Sequence, residues 1–317
     1  CTHYRTQRTG SESLSELRCA GMVERKNCRI EKDWIIFANG VVPALNYMIQ
    51  TFTKEGDSIL IQTPVYNPFR VSTENNGRKI VESQLIDDNG YYTVDYEDFE
   101  RKIVENKIKI FILCNPHNPV GRVWKREELE KMGEICLKHD VLIIADEIHS
   151  DLIFKEYTHC SFLTLREELK NICIVCSAPS KTFNLAGLHT SFIFIANSEL
   201  RAKYKETMMK IRLEAPNIFG IAAVTAAYTK SGEWLDELIE YLDGNRKYIE
   251  EYLKENIPEI KYVKPEGTYL AWLDFSEFLK DGDTLEDIFE ERATFASEIR
   301  VKTESATSNN AGNPHCP

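Results

Sequence analysis

Short segments that are apolar on both faces recur along the chain, and they alternate with stretches of helical spacing. IKIFILCNP is almost unbroken in its apolarity, and DSILIQTP, VLIIADE, NICIVCS and SFIFIAN read the same way. A strand with water on one face alternates polar and apolar residues, whereas a strand covered on both faces does not. This pattern therefore predicts a parallel sheet with helices on both sides, an α/β fold that is doubly wound or a variant of it. The helices are predicted at VVPALNYMIQTF, at VYNPFRVSTENNG (short, closed by Gly77), at VDYEDFERKIVEN with its acid-rich first turn, at KREELEKMGEICLKHD, and over several long stretches across residues 198–256. WIIFANG and RKIVESQLI supply two further strands. Near residue 230 the style changes. A long charged helix, WLDELIEYLDGNRKYIEEYLKEN, precedes IKYVKPEGTYLAWLDF, which reads as an antiparallel pair around a Pro-Glu-Gly turn and so as part of a second, α+β domain.

At 317 residues the chain is long enough for two domains at about 150 residues each. The expected division is 31–229 for the large domain, 1–30 with 230–300 for the small one, and a Ser/Thr/Asn-rich tail at 301–317 with too little to bury to become ordered. The formal charge of −11 argues against nucleic acid and anionic membrane surfaces as partners, and no apolar run approaches the ~20 residues of a membrane span. The N-terminus lacks the apolar stretch of a signal peptide and does not begin with Met, so it reads as a fragment or a processed start. Nine cysteines do not make a disulfide scaffold at this length. Cys114, Cys136, Cys173 and Cys176 lie in apolar segments and read as small buried residues. Cys173 and Cys176 form a CxxC without a second ligand pair, so no metal site is expected. The reading is of a reduced, cytoplasmic, soluble protein.

Ligands of such sheets bind beyond the carboxyl ends of the strands, so the polar residues at those ends are the candidates for chemistry. Asp146 ends VLIIAD, where an unpaired carboxylate is costly. It reads either as a cap or ion-pair residue, or as the partner of a buried cation such as a protonated pyridine nitrogen. Lys181, in the small-residue loop SAPSKTFNLAG, is a solvated lysine or an amine that forms a Schiff base and moves a proton at a substrate Cα. Gly40 and Val41 open a helix directly after a strand, which is either a plain turn or an anion site. Tyr66 in TPVYNPF is a core aromatic or a ring that stacks on a flat ligand. In NPHNPVG the prolines force a turn, and both Asn115 and Asn118 are placed to hydrogen-bond a phenolic oxygen.

The ordered set NPHNPVG, DEIHSDL and SAPSKTFNLAGL, with NGVVPAL, TPVYNPF and PEGTYLAWLDF, resembles the pyridoxal-phosphate enzymes of fold type I, over about Cys19 to Phe275. Within them it is similar to the class I/II aminotransferase-like branch that includes cystathionine β-lyases. The resemblance implies a large, mostly parallel mixed sheet covered by helices, a smaller α+β domain, and a homodimer. It implies pyridoxal 5′-phosphate as cofactor and an amino acid as substrate, with Lys181 as the lysine that holds the cofactor and Asp146 on its pyridine nitrogen. Asn118 falls to the ring's 3-oxygen, Tyr66 to the ring face, and Gly40, Val41 and Ser180 to the phosphate. His149 stands where many aminotransferases carry Tyr, and His189 where aspartate-type enzymes place an Arg; both departures fit the lyase branch. The implied reaction is β-elimination from cystathionine or another L-cysteine S-conjugate, to a thiol, pyruvate and ammonia. Two expectations compete with it. One is an aminotransferase with the same cofactor residues. The other follows from the chain ends, where the family's Tyr-rich N-terminal stretch and its carboxylate-gripping Arg setting are not found. Arg292 and Arg300 lie outside that setting, which implies a cofactor-binding chain without a substrate anchor.

Overall fold

The computed structural model of the chain describes residues 28–213 and 218–279. The segment 1–27, Arg292, Arg300 and the 301–317 tail lie outside the described residues. The elements in chain order begin with β1 (Ile35–Ala38), α1 (Val41–Phe52), β2 (Ser58–Thr63), α2 (Pro68–Asn75) and β3 (Lys79–Gln84). A hairpin of β4 (Ile86–Asp88) and β5 (Tyr91–Thr93) follows, then α3 (Tyr96–Asn106), β6 (Ile110–Cys114), α4 (Arg126–Lys138) and β7 (Leu142–Asp146). After the short α5 (Glu167–Lys170) come β8 (Cys173–Ser177), β9 (Ser191–Ile195), α6 (Ser198–Lys210), α7 (Ile218–Lys230), α8 (Gly232–Asn256), β10 (Lys261–Val263) and β11 (Trp272–Asp274).

Seven strands form one sheet in the order β1-β9-β8-β7-β6-β2-β3. Its central residues explain the unbroken apolar segments. Phe111, Leu113, Ile143, Ala145, Cys173 and Val175 face one layer, with Phe99 of α3 and Leu129 and Met132 of α4. Ile110, Ile112, Ile144, Ile174 and Cys176 face the other, with Leu45 and Met48 of α1 and Tyr204 and Met208 of α6. Successive residues of a strand point to opposite faces, so both neighbours in sequence must be apolar when both faces are covered. The same geometry sends Cys173 and Cys176 to opposite sides of the sheet, where they cannot share a ligand.

The sheet is parallel from β3 through β8, but β9 runs antiparallel to both β8 and β1. The cause is the link between β8 and β9, which carries only a 3-10 turn at Ala186–Leu188. A parallel return needs a crossover, usually through a helix, and this link supplies none. The register then levels the strand ends. Asp146 stands opposite both Cys114 and Cys176, and Ala38 opposite Ser191, where β9 begins. The segments after β1, β6, β7 and β8 therefore all emerge on one edge of the sheet.

Two local readings are corrected. RKIVESQLI is not a single strand, because Ile86–Asp88 leaves the sheet to pair with Tyr91–Thr93. Asn89 and Gly90 between them have φ of 51° and 88°, the left-handed pair of a two-residue hairpin turn. β10 and β11 are antiparallel as expected, with Val263 opposite Trp272, but Pro265-Glu266-Gly267 is not a tight turn between them. It is the middle of a longer loop that packs on Gly121 of the NPHNPVG segment.

Candidate active site

A cavity of about 240 Å³ opens at the common edge of the strands, and Gly40, Val41, Tyr66, Asn118, Asp146, His149, Ser180 and Lys181 all line it. The sequence places these residues on five separate segments; the register of the sheet brings them to one volume. His189 lines the same cavity, on a left-handed residue that closes the 3-10 turn.

The helix that begins at Val41 provides the anion-binding end. Gly40 has φ 118° and ψ 155°, a conformation L side chains rarely adopt. Its own N–H is already engaged, donating to Ser191 Oγ at 3.1 Å, while that hydroxyl donates to Ala38 O at 3.0 Å. The donors left for an anion are the first-turn amides of Val41 and Val42, which have no intrahelical acceptor; Pro43 has no N–H to offer. Ser191, fully buried on the reversed strand, is thus the residue that shapes this turn, and sequence reading missed it. The only signal was a polar residue opening an otherwise apolar strand.

Asn118 and Tyr66 are held to one another. The Tyr66 N–H donates to Asn118 O at 3.1 Å, and the Asn118 N–H donates to Cys114 Sγ at 3.3 Å. Tyr66 rests edge-on against Phe69, with ring centroids 5.7 Å apart. Asn115 is not part of the site. Its side chain is buried and its Nδ2 donates to Cys160 O at 2.9 Å, so of the two asparagines of NPHNPVG only Asn118 reaches the cavity. The physical reason is the backbone hydrogen bond from Asn115 to Asp146 O, which keeps Asn115 inside the sheet ladder.

Asp146 is 5% exposed, and one oxygen accepts the Ile148 N–H at 3.1 Å. No helix starts there, so it caps none, and among the described residues it makes no salt bridge. Burial pushes its carboxyl up to about 6, against the pull of the Ile148 amide and the Lys181 charge. A buried carboxylate that faces a cavity and makes no salt bridge among the described residues is a site for a cation. His149 is also buried; burial first, and the Lys181 charge second, push its imidazole down to about 4. Its Nδ1 is buried without a hydrogen-bond partner. Lys181 stands in the return loop between β8 and β9, followed by the buried Thr182, whose Oγ1 donates to Asp151 Oδ2 at 3.2 Å. Asp151 and Thr182 are a second pair that the sequence did not reveal.

These features, a mostly parallel sheet with a lysine, a buried aspartate and a helix N-terminus at its carboxyl edge, define a fold-type-I α/β enzyme, and the chain belongs to the class I and II aminotransferase family, whose sequence model matches residues 7–303. The chain is 43% identical to cystathionine β-lyase PatB of Bacillus subtilis over 270 residues, 85% of this chain and 70% of PatB. Its structure matches that of cystalysin from Treponema denticola, which contains a pyridoxal 5′-phosphate cofactor, at a TM-score of 0.85 and 39% identity over 88% of this chain and 71% of the other. It matches the pyridoxal-phosphate-bound C–S lyase of Staphylococcus hominis at a TM-score of 0.83 and 32% identity, with the same coverage of 88% and 71%. The chain spans between 60% and 70% of the length of the first curated relatives it matches.

Proposed function

We propose that this chain binds pyridoxal 5′-phosphate in the cavity and cleaves the carbon–sulfur bond of cystathionine or another L-cysteine S-conjugate. The observation that carries the reading is Asp146: a buried carboxylate without a salt-bridge partner among the described residues, in a cavity that also holds a lysine and a helix N-terminus. That is the donor set a phosphorylated pyridinium aldehyde requires at its three ends. When bound, the cofactor supplies an aldehyde that exchanges with the substrate amine and a protonated ring that takes up the electron pair of Cα.

The residues divide that work. Lys181 Nζ attaches the cofactor and then removes the Cα proton. Asp146 keeps the ring nitrogen protonated, because in a dry site the ion pair strongly favours the charged ring. Asn118 would donate to the cofactor's 3-oxygen, and His149 and Tyr66, which line the same cavity, would hold its ring. Gly40, Val41 and Ser180 would hold the phosphate, Gly40 through the turn it makes and Val41, with its neighbour Val42, through N–H groups. The C–S bond breaks, the sulfur leaves as a thiolate that takes up a proton, and with one water consumed the products are a thiol, pyruvate and ammonia. The relatives and solved structures with C–S lyase names support this over amino transfer, as do His149 and His189. The division into a large unit, residues 31–229, and a small one from 1–30 and 230–300 belongs to the same proposal, as do a cytoplasmic location and a homodimer. No described helix is long and apolar enough to cross a membrane.

The test is incubation of the chain with pyridoxal phosphate and cystathionine without any keto acid. Equal release of pyruvate and thiol is expected. Turnover that appears only when a keto acid is added establishes the aminotransferase instead.

A further inference from the structure

The loop between β10 and β11 is tied to the cavity walls. The amides of Glu266 and Gly267 donate to Gly121 O at 2.8 and 3.1 Å. Gly121 has φ 72°, and a Cβ there would stand 2.5 Å from Pro265 Cβ, so the two segments touch backbone to backbone. The Glu266 carboxylate, buried, accepts from the Val123 N–H at 2.7 Å and from Arg122 Nε at 3.1 Å. Arg122 is buried as well; its Nη2 reaches both oxygens of Glu128, at 3.1 and 2.9 Å, and its guanidinium lies 4.1 Å from the Tyr91 ring centroid. On the opposite side the Phe154 N–H donates to Glu266 O at 3.2 Å, and the Thr268 N–H to Leu152 O at 2.8 Å. The loop therefore bridges the Asn118 segment and the residues that follow His149.

The next residues show what the bridge fixes. Thr268 takes φ 72°, which a β-branched residue adopts only where its surroundings over-determine the backbone. Tyr269 follows, and its ring meets the His149 ring edge-on, with centroids 5.5 Å apart and an interplanar angle of 71°. Tyr269 is 44% exposed and His149 4%, so a half-exposed phenol ring lies edge-on against a buried imidazole.

We infer that Tyr269 is a positioning residue that seals His149 into the cavity, and that the Arg122–Glu266 ion pair is the anchor that sets it there. The inference rests on the cofactor reading for its purpose, because a sealed imidazole is one that stays neutral beside the cofactor's 3-oxygen. The titratable groups on the walls around His149 are Lys181 from the β8–β9 loop, Asp146 from the end of β7, Tyr66 from the β2–α2 link, Cys114 from the end of β6, His189 before β9, and Tyr269 itself. The geometry itself does not depend on a bound cofactor.

The experiment is an NMR titration of the histidine rings in the full 317-residue chain without cofactor, with His149 assigned by loss of its signal in His149→Gln. Opening the seal with Tyr269→Ala is expected to raise the His149 midpoint by one pH unit or more while the denaturant midpoint stays put. Tyr269→Phe, which keeps the edge contact, is expected to titrate as the parent does. Glu266→Gln keeps an acceptor for the Val123 N–H but removes the charge facing Arg122, and is expected to raise the His149 midpoint in the same direction. An unchanged His149 titration in Tyr269→Ala overturns the seal. A Glu266→Gln chain that loses stability while His149 titrates as before overturns the anchor. Because the readout needs neither cofactor nor turnover, a failed lyase assay leaves this result intact, and the reverse holds too.

Discussion

Replacing Asp146 by Asn separates what the carboxylate does for the fold from what it does for the chemistry. Burial raises its carboxyl from the ordinary 3.8 to about 6 in the cofactor-free chain. At 1.36 kcal/mol per pH decade, that difference is roughly 3 kcal/mol. The folded state prefers the protonated form, so this stability is fully present below pH 3.8 and is lost as the pH rises through about 6. At pH 8 the parent chain carries the whole penalty of an ionised, buried carboxylate. Asn keeps an oxygen for the Ile148 N–H and removes the charge, at a cost of about 1 kcal/mol for the amide hydrogens it adds. Asp146→Asn is therefore expected to be more stable than the parent by about 2 kcal/mol at pH 8, and to lose that advantage by pH 3.5. Denaturant unfolding of the cofactor-free chains at the two pH values measures it as a midpoint shift at constant slope. In the loaded protein the same change removes the partner of the ring nitrogen. An electrostatic loss of ~3 kcal/mol there lowers turnover on the order of a hundredfold. Equal stabilities at pH 8 refute the buried-carboxylate argument, and unchanged turnover refutes the role of the ion pair.

Three further outcomes follow from the geometry. Gly121→Ala brings a methyl group against Pro265 at a left-handed φ and is expected to cost about 1–3 kcal/mol of stability in denaturant unfolding, with no change at all as the contrary result. Ser191→Ala leaves the Gly40 N–H and Ala38 O without their shared partner; about 1–3 kcal/mol of stability and several-fold weaker cofactor binding by calorimetry are expected, and unaltered binding contradicts the shaping of the phosphate turn. Asn118→Ala removes a hydrogen bond to a charged oxygen worth about 1.5–3 kcal/mol, so cofactor affinity drops roughly ten- to a hundredfold while the fold, held by backbone bonds at Asn118, keeps its stability.

The strands were legible because a sheet buried on both faces leaves one kind of residue at every position. Ile110 through Cys114 and Ile143 through Asp146 could be placed without any structure, and so could the residues at their ends. The reversal of β9 was not legible from apolarity, since a strand covered on both faces looks alike in either direction. The missing crossover helix between Ser177 and Ser191 was the available signal. The β4–β5 hairpin had a direct one, Asn89-Gly90 between Asp88 and Tyr91, just beyond the end of RKIVESQLI, which reads as one strand. Within the site, Lys181, Asp146 and Asn118 announced themselves by position at strand ends. Asn115 has the same chemistry and the same motif but stays within the ladder, a distinction that depends on a long-range backbone bond to Asp146. Ser191, Asp151, Arg122 and Glu266 stand behind the cavity lining, bonded across separations as large as the 153 residues between Ala38 and Ser191, and no local pattern records such pairings.

Lys181 is proposed as the point where the cofactor joins the chain. Borohydride reduction of the chain supplied with pyridoxal phosphate, followed by peptide mass spectrometry, tests it directly. One reduced adduct is expected, on the Lys181 peptide, and none in Lys181→Ala. A stoichiometric adduct on another lysine, or a visible cofactor band that survives intact in Lys181→Ala, contradicts it.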